Sequence, residues 1–311
     1  MKHNKTILIT GASGFLGTWL ADEAAQQGYK LIGIDMRAPL RPALWEGFAT
    51  SSLESVDLDQ LLKGHELDAV CHLAGGASVA ASVNDPYGDF SSLLPGTARL
   101  ALYIAKAQRK AKMLFFSSAA VYGNPKTLPI TEQTPVMPIS PYGIHKATAE
   151  TLLMNYSRAL GIQVVIFRIF SVYGPGLRKQ LIYDVTQRAI QAATLGQKSI
   201  QLFGTGAESR DFMYVQDVCR AVTSIIGQDQ DEKCSIYNLA SGIESTVADV
   251  ARCLISSLNI DMDITFDGKV PPGDPVNWRA DVSKLDDIGF SSVYSLSEGL
   301  NEVAQWAKVI V

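Results

Sequence analysis

Two side chains four residues apart, Tyr142 and Lys146, carry the clearest chemistry in this 311-residue chain. They lie in Ser140-Pro141-Tyr142-Gly143-Ile144-His145-Lys146, and residues at that spacing share one face of a helix. A free phenol titrates near pH ~10 and is a poor base at neutrality. A fixed positive charge nearby favours the phenolate, so Lys146 is expected to lower the Tyr142 pKa and make it a general base near neutral pH. Ser118, in Phe115-Phe116-Ser117-Ser118, is the natural third member, a hydroxyl to hold a substrate oxygen. Tyr and Lys four apart also occur on solvated helix faces, so the pair takes its meaning from the elements around it.

Those elements begin with Thr6-Ile7-Leu8-Ile9-Thr10, a short apolar run that predicts a buried strand. Gly11-Ala12-Ser13-Gly14-Phe15-Leu16-Gly17 follows at once, then a helical pattern to Gln27 with Gly28 as its stop. Strand, glycine loop and helix in that order are the setting of a dinucleotide fingerprint. Glycines admit the pyrophosphate to the backbone, and the helix N-terminus faces its charge. The spacing is Gly-x-x-Gly-x-x-Gly rather than the commoner Gly-x-Gly-x-x-Gly. A second strand, Lys30 to Asp35, ends in a carboxylate at the place where one receives the adenosine ribose hydroxyls and repels a 2′-phosphate. This favours NAD over NADP; Arg37 is the one feature that argues the other way. Asp57-Leu58 could set a carboxylate at the adenine edge, or Asp57 could simply cap a helix.

Leu67 to Gly76 reads as a buried strand ending in small residues, with Leu73 and Ala74 leaving room for a cofactor. His72 in that strand reads as a core histidine. A long periodic helix is expected over Gly96–Lys110, with Pro95 in its first turn. Lys112 to Ser118 is a further buried strand, and Ser140 is the expected N-cap of a helix running from Tyr142 to about Leu160.

Composition narrows the classes. At 47% hydrophobic and 19% charged the chain is an ordinary globular sequence. A formal net charge of -4 gives no basic field for nucleic acid. No apolar run reaches membrane-spanning length, and Met1 to Lys5 leads directly into a strand, so a cytoplasmic protein without a membrane segment is expected. Four cysteines far apart read as reduced core thiols, and four scattered histidines give no metal site.

Taken together, these motifs resemble an extended short-chain dehydrogenase/reductase of the NAD-dependent epimerase/dehydratase family, whose members mostly act on nucleotide sugars. The likeness runs through Gly11–Gly17, Asp35, Asp57-Leu58, His72–Gly75, Ser117–Gly123 and Tyr142–Lys146. It continues through Arg168-Ile169-Phe170-Ser171-Val172-Tyr173-Gly174-Pro175-Gly176, Gly204-Thr205-Gly206, Arg210-Asp211-Phe212 and Tyr237–Gly242, covering nearly the whole chain. It implies a doubly wound parallel α/β sheet of Rossmann type (1–170 plus 211–240) and a smaller interwoven α/β substrate lobe (171–210 plus 241–311). It implies Ser118, Tyr142 and Lys146 as catalytic residues, with Tyr142 taking a proton from the sugar 4-hydroxyl and Lys146 also holding the nicotinamide ribose. NAD would be held by Gly11, Gly14, Phe15, Leu16, Gly17, Asp35, Asp57, Leu58, Leu73 and Ala74 together with Tyr142 and Lys146. Arg210 matches a residue that clamps the nucleotide diphosphate. Helices near 96–110 and 141–160 would pair across a two-fold axis in a homodimer.

Departures from the family pattern narrow the reaction. Sugar 4,6-dehydratases carry Asp-Glu directly after the catalytic Ser/Thr; here stand Ala119 and Ala120. Decarboxylases keep an acid at the second position, so both are disfavoured. Ser171 and Leu93 stand where many members have asparagine. The basic run Leu177-Arg178-Lys179-Gln180 is placed either to meet an anionic substrate or to be a solvated turn. Arg279, in the loop-like stretch Gly273–Asp281, is a second phosphate contact or a surface residue. The leading expectation is a nucleotide-sugar 4-epimerase on a UDP-hexose. The alternatives are a nucleotide-sugar reductase or other 4-keto-forming enzyme, then a non-catalytic dinucleotide-binding regulator. The sequence does not identify base or sugar.

Overall fold

The computed structural model describes residues 5–76, 78–228, 232–269 and 277–310. Gly273 to Val276 of the expected loop lie outside them. Two compact units divide the chain. One holds Met1–Gly123, Glu132–Ile169 and Cys219–Asn238; the other holds Asn124–Thr131, Phe170–Val218 and Leu239–Val311.

Strands run in chain order as β1 (Thr6–Thr10), β2 (Lys30–Asp35), β3 (Trp45–Thr50), β4 (Ala69–His72), β5 (Lys112–Ser118) and β6 (Gln163–Ile169). They continue as β7 (Ser171–Tyr173), β8 (Ser199–Leu202), β9 (Ser209–Tyr214), β10 (Cys234–Leu239), β11 (Glu244–Thr246) and β12 (Asp263–Phe266). The first unit's sheet has the order β10-β6-β5-β4-β1-β2-β3, and β1 to β6 pair in parallel. The chain therefore winds outward from β1 in both directions, the Rossmann arrangement, with its switch point between β1 and β4. Every residue of β1 is buried, as a parallel strand covered on both faces requires.

Helices α1 (Phe15–Gln26), α2 (Leu58–Leu61), α3 (Val79–Asn84), α4 (Pro86–Ala107) and α5 (Pro141–Leu160) belong to this unit. Leu93, Leu100, Ile104 and Leu153 from α4 and α5 pack with Met113 and Phe115 of β5 in the core. The long helix differs from the expectation: α4 starts at Pro86, not Gly96, and Pro95 lies inside it. Asp85 caps the true start by accepting from the Gly88 amide at 2.8 Å, with Pro86 in the first turn, where the missing N–H is harmless. The apolar stripe continues through Pro95, so core packing outweighs one lost backbone donor. α5 follows its signals: Ser140 accepts from the Gly143 amide at 3.2 Å, and Gly161 closes the helix in the left-handed region.

In the second unit β9 lies between β7, parallel to it, and β11, antiparallel. β8 and β12 form a separate parallel pair. Among the described residues no helix is long and apolar enough to cross a membrane, and no group of three His, Cys, Asp or Glu could hold a metal ion.

Candidate active site

The glycine loop closes on itself before it meets any ligand. Gly11 donates its amide to Ile34 O at 2.8 Å and Gly14 to Gly11 O at 3.0 Å. A Cβ on Gly17 would collide with the Gly11 carbonyl, so only glycine lets α1 start this close to β1. No side chain caps the α1 N-terminus and no acidic residue stands in its first turn, which leaves a positive helix end suited to phosphate. At the end of β2, Asp35 accepts from the Ser13 amide at 3.0 Å and the Arg37 amide at 2.9 Å. A carboxylate accepts about four hydrogen bonds, so Asp35 retains capacity for two ribose hydroxyls. The donor set thus fits NAD. Arg37 turns its guanidinium to Ser13 O at 3.0 Å, and the Ser13 hydroxyl lies 3.0 Å from Arg37 O and 3.1 Å from Ala38 O. Ser13, an unmarked position between two glycines, was not singled out by the sequence.

Below the loop, His72 is fully partnered. Thr97 Oγ1 lies 2.6 Å from Leu93 O and must donate to it, so it accepts from His72 Nε2–H at 2.9 Å. His72 Nδ1 then accepts from Thr10 Oγ1 at 2.8 Å, which in turn accepts from the Ala74 amide at 3.2 Å. Burial and the Lys146 charge push the His72 pKa down to about 3. It is a neutral core imidazole tying β1, β4 and α4 together. Asp57 caps α2 by accepting from the Gln60 amide at 3.0 Å, and Leu58 is buried in the core.

Ser118, Tyr142 and Lys146 come together in the first unit. Ser118 ends β5, and its hydroxyl accepts from the Ala120 amide at 3.1 Å and is hydrogen-bonded to the Tyr142 phenol. α5 approaches so closely that a Cβ on Gly143 would stand 2.6 Å from Ala120 O. Ala119 and Ala120 are buried, with no carboxylate in their place. The Tyr142 amide donates to Ser82 Oγ of α3 at 3.0 Å; nothing in the sequence marked Ser82.

One expectation is corrected here. Lys146 does not depress the Tyr142 pKa. Its Nζ donates to Phe116 O at 2.8 Å and lies 5.9 Å from the Tyr142 ring centroid. Burial raises the phenol above its ordinary value, the Ser118 hydrogen bond pulls it down, and the Asp89 charge raises it further. The resting group is a phenol. Lys146 itself is pushed down to about 8 by burial, against the opposing charges of Asp89 and Glu150.

Two acidic residues missed by sequence reading surround this trio. Asp89 Oδ2 stands 2.6 Å from His145 Nδ1, both side chains largely buried. Glu150, one turn beyond Lys146, accepts from Ser117 Oγ at 2.5 Å and holds Arg168 in a buried ion pair at 2.8 Å. Arg168 also donates to Tyr122 Oη at 3.1 Å, and that hydroxyl donates to Asn238 Oδ1 at 2.6 Å.

The expected substrate contacts Ser171, Arg178, Arg210 and Arg279 all belong to the second unit. Ser171 opens β7 and Arg178 is exposed. Arg210 and Arg279 lie on adjoining segments, because Ser209 bridges to Asn277. The carboxylate of Asp211 clamps those segments, accepting from the Ser241 amide at 2.8 Å, the Gly242 amide at 2.9 Å and the Ala280 amide at 3.2 Å.

A doubly wound sheet with a glycine loop after β1, a carboxylate after β2 and a Ser-Tyr-Lys trio at β5 and α5 defines an extended short-chain dehydrogenase/reductase. The family model for the NAD dependent epimerase/dehydratase family matches residues 7–240, and the chain belongs to that family. An uncharacterized UDP-glucose epimerase of Bacillus subtilis is 30% identical over 314 residues, covering 96% of each chain. Among solved structures, a UDP-N-acetylglucosamine 4-epimerase from Methanobrevibacter ruminantium, in complex with UDP-N-acetylmuramic acid, is 28% identical over the full length of both, with a TM-score of 0.87. A UDP-glucuronic acid 4-epimerase from Bacillus cereus, in complex with UDP-glucuronic acid and NAD, is 26% identical over 98% of this chain and 100% of that one, with a TM-score of 0.86.

Proposed function

We propose that this protein is an NAD-dependent nucleotide-sugar 4-epimerase acting on a UDP-hexose or a close relative of one. The observation that carries the reading is the hydrogen-bonded Ser118–Tyr142 pair beside buried Lys146, followed by alanines where elimination chemistry would need acids. Bound NAD supplies a reversible hydride acceptor and brings a positive charge of its own. Tyr142 takes the proton of the sugar 4-hydroxyl as the hydride leaves C4 and returns it when the hydride comes back to the opposite face. Ser118 donates to the 4-oxygen and steadies the ketone. Lys146, with a pKa of about 8, is a cation at neutral pH and would hold the nicotinamide ribose through its ammonium. Gly11, Gly14, Phe15, Leu16 and Gly17 hold the pyrophosphate, and Asp35 holds the adenosine ribose. Asp57, Leu58, Leu73 and Ala74 line the adenine and nicotinamide approaches. Ser171, Arg178, Arg210 and Arg279 take the nucleotide diphosphate and sugar.

The same reading includes a homodimer. Tyr87, Phe90 and Leu102 of α4 and Ile144 of α5 are exposed apolar residues, and Pro138, Ile144, Ala147, Thr151 and Leu152 line a groove along α5. A second copy covering this face is the expected occupant; a monomeric mass by light scattering at micromolar concentration would remove it.

The function is tested by incubating the purified protein with UDP-glucose, UDP-galactose, UDP-N-acetylglucosamine and UDP-glucuronic acid without added cofactor. The expected result is an isobaric product of altered C4 stereochemistry and NAD released on denaturation. Turnover only with added NADPH, giving a product two hydrogens heavier, would make it a reductase.

A further inference from the structure

One buried ionisable pair takes no part in the proposed chemistry. Asp89 of α4 and His145 of α5 are both largely buried and stand 2.6 Å apart, Oδ2 to Nδ1. An ionised carboxylate only accepts, so His145 Nδ1–H is the donor. The pair is held from two sides. Phe90 meets the His145 ring edge-on at 5.7 Å between centroids. The other carboxylate oxygen lies against the loop after β4, where a Cβ on Gly76 would collide with Asp89 Oδ1. The missing side chain of Gly76 therefore admits the carboxylate.

Helix geometry sets this carboxylate beside the trio. His145 directly precedes Lys146 and follows Tyr142 by three residues, a spacing that shares a helix face. Burial pushes Lys146 down, and the charges of Asp89 and Glu150 oppose it. Burial raises Tyr142, the Ser118 hydrogen bond opposes that, and the Asp89 charge adds to the rise. The ionisable neighbours are thus Asp89 from α4, Glu150 from α5 and the neutral His72 from β4. Glu150 is balanced by its ion pair with Arg168. Asp89 has an imidazole for its partner, which when neutral leaves the carboxylate charge uncancelled.

We infer that Asp89 and His145 form a positioning pair for the catalytic trio: His145 fixes the carboxylate, whose charge holds Lys146 as an ammonium and Tyr142 as a phenol between turnovers. This rests on the epimerase reading above and adds a charged pair to it. Asp89 acts through Tyr142 and Lys146, so its loss should move the pH range of activity. Without the carboxylate both groups lose their protons at lower pH, and both limbs of the profile shift toward acid.

The test uses the full chain as purified, labelled with ¹³C at lysine Cε. The Lys146 signal, assigned by its loss in Lys146→Met, should titrate below the ordinary lysine range in wild type. Asp89→Asn keeps the size and the acceptor and removes the charge. Its Lys146 midpoint should fall by on the order of one pH unit. With a UDP-sugar substrate, both limbs of its kcat profile should move toward acid. A purely structural pair would lower activity or Tm without moving either pH value. A Lys146 midpoint within about 0.2 unit of wild type in folded Asp89→Asn would overturn the inference and leave the epimerase reading intact. Should that variant not fold, Asp89→Ser, smaller than the space it fills, is read in the same way. Inertness of the wild-type protein toward every UDP-sugar would overturn the epimerase reading, and with it the catalytic purpose of the pair, whatever the titration shows.

Discussion

Two successive turns of α5 bury a charge each and treat it in opposite ways. Lys146 is 4% exposed and donates to a neutral backbone carbonyl, and among the described residues no carboxylate lies within ion-pair distance of it. Glu150 is 1% exposed, and Arg168 grips it with both Nε and Nη2 while Ser117 donates to it as well. Burial without a direct partner pulls the Lys146 pKa down to about 8, within reach of working pH. Burial with a partner drives Arg168 the other way, far above its ordinary value, with Glu150 the chief cause opposing desolvation. A buried charge left unpaired stays adjustable; one that is paired becomes part of the frame.

The comparison can be broken at either turn. The largest effect is expected at the chemical end: Tyr142→Phe should slow turnover by about 10²–10⁴-fold, the range for loss of a general acid–base. Bound NAD and Tm should stay close to wild type, as steady-state kinetics and thermal melts would show. Near-normal turnover would remove Tyr142 from the mechanism. At the frame end, Glu150→Ala should destabilise the fold by about 3–5 kcal/mol, because Arg168 is left buried and uncompensated. Urea unfolding measures this, and a loss below about 1 kcal/mol would show that the pair is not structural.

A pH experiment sharpens the distinction. Below about pH 8 the folded protein carries the Lys146 charge at a cost; above it the folded lysine sheds its proton before the unfolded one does. Lys146→Met should therefore be more stable than wild type at pH 7, with the gap narrowing as pH rises from 8 toward the ordinary lysine value. Paired unfolding curves check this, and a gap that ignores pH would mean that Lys146 titrates normally. The smallest effect is expected at Asp57. Asp57→Ala should cost about 1 kcal/mol through the lost α2 cap, and an accompanying fall in NAD affinity would show that the carboxylate also meets the adenine side.

Much of this arrangement is legible in the sequence because it is local. The glycine loop, the Asp35 terminus and the Ser140 cap are each set by a few adjacent residues, and the core strands by unbroken apolar runs. The start of α4 is hidden because Pro95 reads as a helix beginning, while the decisive Asp85-Pro86 cap lies a helix segment upstream. Ser82, Asp89 with His145, and Glu150 with Arg168 escape because each acts on a residue distant in the chain, and no spacing rule announces a contact across elements. The relation between Lys146 and Tyr142 is misread for the same reason: helix periodicity places the two side by side, but the Phe116 carbonyl, from β5, accepts from the ammonium.

Ser118 has a single proton to give. Its oxygen accepts from the Ala120 amide at 3.1 Å, and its contact with the phenol works against the rise that burial imposes on the Tyr142 pKa. Were the Ser118 proton given to a substrate oxygen, as the proposed mechanism has it, the phenol would give up a contact that favours its ionised form.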